Sequence, residues 1–127
     1  MDNPPTRVVV AEHQPLLRRA LIALINEHPE LTLEATAGNG EEALSLIAAT
    51  LPDVALIDAR LPRRLGHAVL HAVRARGIAS SVIFLTGQTG AKFVTENATC
   101  ISSASDEQEL CVALLGVARE KRPPRAS

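Results

Sequence analysis

The strongest constraint on the fold is a regular alternation of short apolar runs with longer segments of helical period. The first run, residues 7–11, ends in four consecutive apolar residues, which is typical of a strand buried on both faces. We predict five strands, at residues 7–11, 31–36, 53–58, 81–86 and 99–102. Strands that alternate with helices predict an α/β fold, with a parallel sheet and helices on both of its faces.

The first two helices carry clear end signals. Pro15 opens the first helix, and His28 ends it, because a residue that precedes a proline disfavours helical backbone. Asn39, with Glu42 three residues further on, is the predicted N-cap of the second helix. The predicted buried stripes are Leu16, Leu17, Ala20, Leu21, Leu24 and Ile25 in the first helix, and Ala43, Leu44, Ile47 and Ala48 in the second.

The later helices are less regular. A third helix is predicted at residues 67–76, closed by Gly77. Residues 87–97 contain two glycines, so we predict a shortened or irregular helix there. Ser105 and Gln108 form a capping-box signal for a last helix, whose predicted buried side carries Leu110, Ala113, Leu114 and Val117.

Composition argues against several classes of protein. The net charge is −1 and aromatic residues make up 2%, whereas nucleic-acid binding usually needs a basic face or stacking rings. No apolar run approaches the roughly 20 residues of a membrane span, and the acidic, proline-rich start does not resemble a signal peptide. We therefore expect a cytoplasmic protein in which Cys100 and Cys111 are reduced thiols. The expected organisation is an extension at residues 1–6, one domain at 7–119 and a basic tail at 120–127.

Polar residues at the carboxyl ends of the predicted strands are the candidates for a site, because open parallel sheets bind ligands at that edge. Asp58 ends the third strand and could act as a nucleophile toward a phosphoryl group or as a metal ligand. Glu12 follows the first strand and could meet Asp58 in a sheet of order 2-1-3-4-5, giving two carboxylates suited to Mg²⁺. Thr86 ends the fourth strand, and its hydroxyl could donate to a phosphoryl oxygen.

Each of these residues also has a purely structural interpretation. Asp58 could cap the turn that follows its strand, and Glu12 could cap the first helix. Thr86 could be an ordinary β-branched strand residue. For Asp58 taken alone, we favour the structural interpretation.

The segments RVVVAEHQPLLRRAL, DVALIDARLP and VIFLT resemble the bacterial response-regulator receiver domain over about residues 7–117. The segment VIFLTGQTG further resembles the FAT GUY subfamily of single-domain receivers, although Gln88 stands where that subfamily has Tyr. The resemblance implies a flavodoxin-like, doubly wound, five-stranded parallel sheet of order 2-1-3-4-5. It also implies that Asp58 is the phosphoacceptor, that Thr86 contacts the phosphoryl group, and that Glu12 and the Arg60 carbonyl help to hold Mg²⁺.

Three positions depart from the family pattern. His13 aligns with the Asp that normally binds Mg²⁺ directly, and imidazole is a poor ligand for a cation that prefers oxygen. Ser103 aligns with the Lys that normally pairs with phosphoryl oxygens, and a serine hydroxyl carries no charge. Cys100 aligns with the switch aromatic and offers no bulky ring. We therefore expect Mg²⁺ binding to be weak or absent.

Two other groups of polar residues favour structural interpretations. Arg60, Arg63 and Arg64 could supply positive charge near Asp58, but a solvated basic loop is the favoured interpretation. His67 and His71 are spaced as a helical metal-ligand pair without an evident third ligand, so we predict a surface pair.

Two hypotheses follow. In the first, a partner histidine kinase or a small phosphodonor phosphorylates Asp58, and Thr86 couples this event to the face formed by the fourth strand, the fifth strand and the last helix. In the second, the chain is a pseudo-receiver that binds another signalling protein without a phosphorylation switch. We lean toward the second for the chemistry of the site. Neither hypothesis makes the chain a true enzyme, and the same face is a candidate for a homodimer contact.

Overall fold

A computed structural model describes residues 4–86, 98–102, 109–110 and 112–116 of the chain. Its strands are β1 (Thr6–Ala11), β2 (Leu31–Ala37), β3 (Val54–Asp58), β4 (Ser81–Thr86) and β5 (Ala98–Ser102). Its helices are α1 (Pro15–Glu27), α2 (Gly40–Thr50) and α3 (Gly66–Ala75). Residues 109–110 and 112–116 are also helical and are called the C-terminal helical segment below. No helix in these ranges is long and apolar enough to cross a membrane.

The five strands form one parallel sheet of order β2-β1-β3-β4-β5, which confirms the predicted fold class and strand order. The observed strands agree with the predicted ones to within one residue at each end. The irregular helix predicted at residues 87–97 and the Ser105 capping box lie outside the described residues. The same holds for the tail at 120–127 and for residues 1–3 of the extension predicted at 1–6, whereas Thr6 of that extension already belongs to β1.

The core has two layers, one on each face of the sheet. Because side chains alternate along a strand, Val8 and Val10 face one layer while Val9 and Ala11 face the other. The first layer is completed by α1 and by Leu110 and Leu114 of the C-terminal helical segment, and the second by α2 and α3. The central strand β3 is buried on both faces, as expected for a parallel sheet with helices on each side.

Two helix-end predictions are confirmed, whereas the buried stripe predicted for α1 included residues that are exposed. The Asn39 side chain accepts a hydrogen bond from the Glu42 N–H at 2.9 Å, and α1 ends with His28 as its C-cap. Leu16, however, is 80% exposed, and Ala20 is exposed too. Of the predicted stripe, Leu21, Leu24 and Ile25 are buried, and Leu17 is half-buried against the same core layer.

The loop between β3 and α3 is packed tightly against the start of α2. The Gly40 N–H donates to the Pro62 carbonyl at 3.1 Å. A Cβ atom built on Gly40 would lie 2.0 Å from the Arg64 carbonyl oxygen, far inside van der Waals contact. Glycine at this position therefore allows two backbones to approach where no other residue fits, and it holds the loop that follows Asp58.

We expect Gly40→Ala to lower the free energy of unfolding by about 1–3 kcal/mol, since the loop must move away from α2 to admit the methyl group. Urea unfolding followed by far-ultraviolet circular dichroism measures the change. Gly38→Ala is the matched control in the same turn, because its Cβ would meet its nearest atom, Arg18 Nη1, at an ordinary 3.4 Å. Equal effects of the two substitutions would contradict the assigned role of Gly40.

Candidate functional site

The candidate site lies where β1 and β3 end side by side. Ala11 of β1 pairs with Ile57 of β3, so the next residues, Glu12 and Asp58, emerge from neighbouring strands at the same edge of the sheet. Both are buried, with 2% of Glu12 and 8% of Asp58 exposed. The meeting of these two carboxyl groups is therefore as predicted from the strand order.

His13 joins the two carboxyl groups. Its Nδ1 hydrogen-bonds to Oδ2 of Asp58 and lies 3.4 Å from Oε2 of Glu12. Carboxylate oxygens only accept hydrogen bonds, so Nδ1 of His13 carries the proton that is donated to Asp58. The His13 side chain is 39% exposed, whereas only 3% of the Glu12 side chain and 11% of the Asp58 side chain are exposed.

Both oxygens of Asp58 accept hydrogen bonds in this arrangement. The Arg60 N–H donates to Oδ1 at 2.9 Å, while His13 donates to Oδ2. The contact with Arg60 is the turn-capping arrangement of the structural interpretation. Glu12 also has a capping contact, because the Gln14 N–H lies 3.5 Å from its Oε2 at the start of α1.

The two carboxyl groups differ in their affinity for a proton. Burial, reinforced by the neighbouring Asp58, raises the pKa of Glu12 to about 7. Burial also acts to raise the pKa of Asp58, but hydrogen bonds from Glu12, the Arg60 N–H and His13 outweigh it and hold that pKa below its ordinary value. Glu12 is therefore the first of the two to take up a proton as the pH falls, and Asp58 is the carboxylate.

Arg18 is a contributor that the sequence analysis missed. Its Nη1 donates to the carbonyl oxygen of Glu12 at 2.9 Å, which fixes the backbone just before His13. From the sequence, Arg18 can be assigned only to the polar side of α1. No local signal predicts that its side chain reaches back to the end of β1.

Thr86 lies at the end of β4, and its hydroxyl donates to the Ile101 carbonyl of β5 at 3.4 Å. This hydrogen bond points toward β5, on the side of β4 away from β3. The contact of Thr86 with a phosphoryl group stays a prediction.

The remaining predicted site residues lie farther along the edge or outside the described residues. Cys100 belongs to β5 and pairs with Phe84 of β4, while Ser103 lies outside the described residues. The metal-binding role of the Arg60 carbonyl stays a prediction. Arg60 and Arg63 are exposed, in agreement with a solvated basic loop, whereas Arg64 is half-buried.

The helical histidine pair does not join the site. His67 and His71 are both exposed on α3, and the His67 ring packs against Phe84 with centroids 5.2 Å apart. Within the described part of the chain, the group of side chains able to share a metal ion is Glu12, His13 and Asp58.

The chain belongs to the response regulator receiver domain family, whose sequence pattern matches residues 8–106. A transcriptional regulatory protein named NarL from Mycobacterium tuberculosis is 36% identical over 89 residues, which are 68% of this chain and 41% of that protein. The chain thus matches less than half of the length of this relative.

Solved structures agree with the family. The signal receiver domain of NarL from Mycobacterium tuberculosis superposes with a TM-score of 0.84 at 28% identity, covering 94% of this chain and all of that one. A DNA-binding response regulator of the LuxR family from Staphylococcus aureus gives a TM-score of 0.77 at 26% identity, over 89% of this chain and 98% of that one.

Receiver domains bind Mg²⁺ at an acidic site, but the residues present here do not suit that ion well. Mg²⁺ requires near-ideal octahedral coordination by oxygen, and His13 contributes a nitrogen to the group. Nδ1 of His13 is moreover hydrogen-bonded to Asp58, the carboxylate that the family resemblance assigns to the metal.

The proton on Glu12 makes stability depend on pH. Because the pKa of Glu12 is raised from 4.5 to about 7 on folding, its protonation stabilises the folded state fully below about pH 4.5. This contribution is lost as the pH rises through about 7. We expect Glu12→Gln, which cannot titrate, to flatten the decline in unfolding free energy over that interval, by an amount on the order of a few kcal/mol.

Urea unfolding of the wild type and Glu12→Gln at a series of pH values measures this difference. Glu27→Gln is the control, since Glu27 is exposed on α1 and does not contact the site. Parallel pH profiles for the wild type and Glu12→Gln would show that Glu12 does not hold the proton.

Proposed function

We propose that this receiver domain of a two-component response regulator signals through protein contacts while His13 masks its phosphoacceptor position. The observation that carries the proposal is the hydrogen bond from Nδ1 of His13 to Oδ2 of Asp58. It occupies the oxygen that a phosphodonor or a metal ion would otherwise meet.

The shortage of positive charge directed at Asp58 supports the same proposal. Phosphoryl transfer to a carboxylate needs positive charge aimed at the transferring oxygens, and one such donor is typically worth about 3–4 kcal/mol of barrier. Here His13 stands in the place of a metal ligand and Ser103 in the place of the usual Lys. The arginines Arg60 and Arg63 that follow Asp58 are exposed, so water screens their charge.

The output of such a domain is binding. The proposed partner is a histidine kinase or another signalling protein, and the face that includes β4, β5 and the C-terminal helical segment is also proposed for a homodimer. Action as a single-domain regulator, without DNA contact, belongs to this proposal. The solved relative from Staphylococcus aureus is described as DNA-binding, a property that this proposal does not extend to the present chain.

Phosphorylation of Asp58 is the second candidate function, and one observation favours it. The hydrogen bonds around Asp58 hold its pKa below the ordinary value, so the group is an ionised and therefore nucleophilic carboxylate. Displacement of the His13 ring would free Oδ2, because Nδ1 of the ring is its hydrogen-bond partner.

Intact-mass spectrometry after incubation with acetyl phosphate and Mg²⁺ separates the two candidates. We expect little phosphoryl adduct on the wild type, since the metal and the donor meet a masked carboxylate. His13→Asp restores an all-oxygen site, and we expect a Mg²⁺-dependent adduct to increase by about tenfold or more.

Two controls complete this experiment. Asp58→Asn in the His13→Asp background must abolish the adduct if Asp58 is its site. The double substitution His13→Asp with Ser103→Lys restores both missing groups and should label at least as well. A strong Mg²⁺-dependent adduct on the wild type, lost in Asp58→Asn, would establish the second candidate instead.

A further inference from the structure

The three side chains at the end of β1 and β3 offer a mixed set of metal ligands. One oxygen from each of Glu12 and Asp58 and one ring nitrogen of His13 lie within 4.8 Å of one another. Two of the three ligands follow β1 and the third ends β3, so the paired strands hold the donor atoms in place. This donor set differs from an acidic cluster because one ligand is an imidazole.

The burial of the two carboxyl groups creates a need for positive charge. Glu12 and Asp58 are both less than a tenth exposed, and removing charged groups from water is costly unless they are paired. In the present arrangement Nδ1 of His13 hydrogen-bonds to Asp58 and lies 3.4 Å from Oε2 of Glu12. A divalent cation between the same three atoms would supply the positive charge directly.

The chemistry of the donors decides which cation fits. Imidazole nitrogen with carboxylate oxygen suits Zn²⁺ and its first-row neighbours, which bind such sites more tightly than the hard alkaline-earth ions do. Three protein ligands with further positions open to water are the usual arrangement of an accessible Zn²⁺ site. The His13 ring is 39% exposed, so the open positions would face solvent on its side.

We propose that Glu12, His13 and Asp58 form a binding site for a divalent transition-metal ion, with Zn²⁺ preferred over Mg²⁺. The metal would bind Nδ1 of His13 in place of the proton that this atom now donates to Asp58. This proposal goes beyond the proposed function, because metal binding does not require that Asp58 be phosphorylated or that a partner be bound.

Isothermal titration of the whole chain with Zn²⁺ and, separately, with Mg²⁺ tests the preference in the absence of any phosphodonor. We expect one Zn²⁺ per chain at this site, bound about tenfold or more tightly than Mg²⁺. His13→Asn keeps an N–H donor for Asp58 but removes the ring nitrogen, and it should weaken Zn²⁺ binding by about tenfold or more. His13→Asp should reverse the preference toward Mg²⁺.

Other histidines of the chain could also bind Zn²⁺, so variants that lack them are needed as controls. His67→Asn and His71→Asn remove the exposed histidines of α3, and we expect them to leave Zn²⁺ binding unchanged. Co²⁺ used as a spectroscopic substitute should give bands of nitrogen and oxygen ligation, without the charge-transfer band of a thiolate from Cys100 or Cys111.

Two results would overturn the proposal. One is Zn²⁺ affinity that His13→Asn leaves unchanged, and the other is Mg²⁺ affinity in the wild type equal to that of Zn²⁺. Either is distinct from a failure of the masking proposal, which the phosphoryl adduct on the wild type decides. Circular dichroism of each variant confirms that it folds, and the partial exposure of His13 makes this side chain replaceable.

Discussion

The site depends on the direct pairing of β1 with β3. These strands are 46 residues apart in sequence at Val8 and Val54, yet they are neighbours in the middle of the sheet. Their parallel register brings Glu12 and Asp58 to one edge, where burial on both faces of the sheet removes water from the carboxyl groups. Two carboxyl groups in such surroundings cannot both stay ionised without a cation nearby, and the chemistry of the site follows from this constraint.

His13 changes how that constraint is met. A third carboxylate at this position, as the family resemblance implies, would leave a divalent ion as the natural source of positive charge. An imidazole instead hydrogen-bonds to Asp58, and burial beside Asp58 raises the pKa of Glu12 to about 7, which reduces the charge that a metal ion would have to balance. The same side chain therefore underlies the proposed masking of Asp58, the poor match to Mg²⁺ and the proposed preference for a softer metal ion.

Packing around the loop after β3 keeps this arrangement in place. Gly40 admits the backbone of Arg64, and Gly66 lies where a Cβ atom would come within 2.9 Å of the Phe84 ring. Between these two close contacts, the Arg60 N–H reaches Oδ1 of Asp58. On the other side, Arg18 fixes the carbonyl of Glu12. The carboxyl groups are thus held by backbone positions that distant packing determines.

The sequence by itself determined the kinds of elements, the strand-end positions of Glu12 and Asp58, and the caps at Asn39 and His28. These properties are local, because apolar runs, helical period and proline geometry act over a few residues. The strand order also followed, through the resemblance to a family. Only the tertiary structure decided that the His13 ring lies on Asp58, that Arg18 reaches Glu12, and that the first turn of α1 leaves Leu16 exposed. The physical reason is that hydrogen bonding and burial here depend on distances between residues as far as 45 positions apart, which no local pattern encodes.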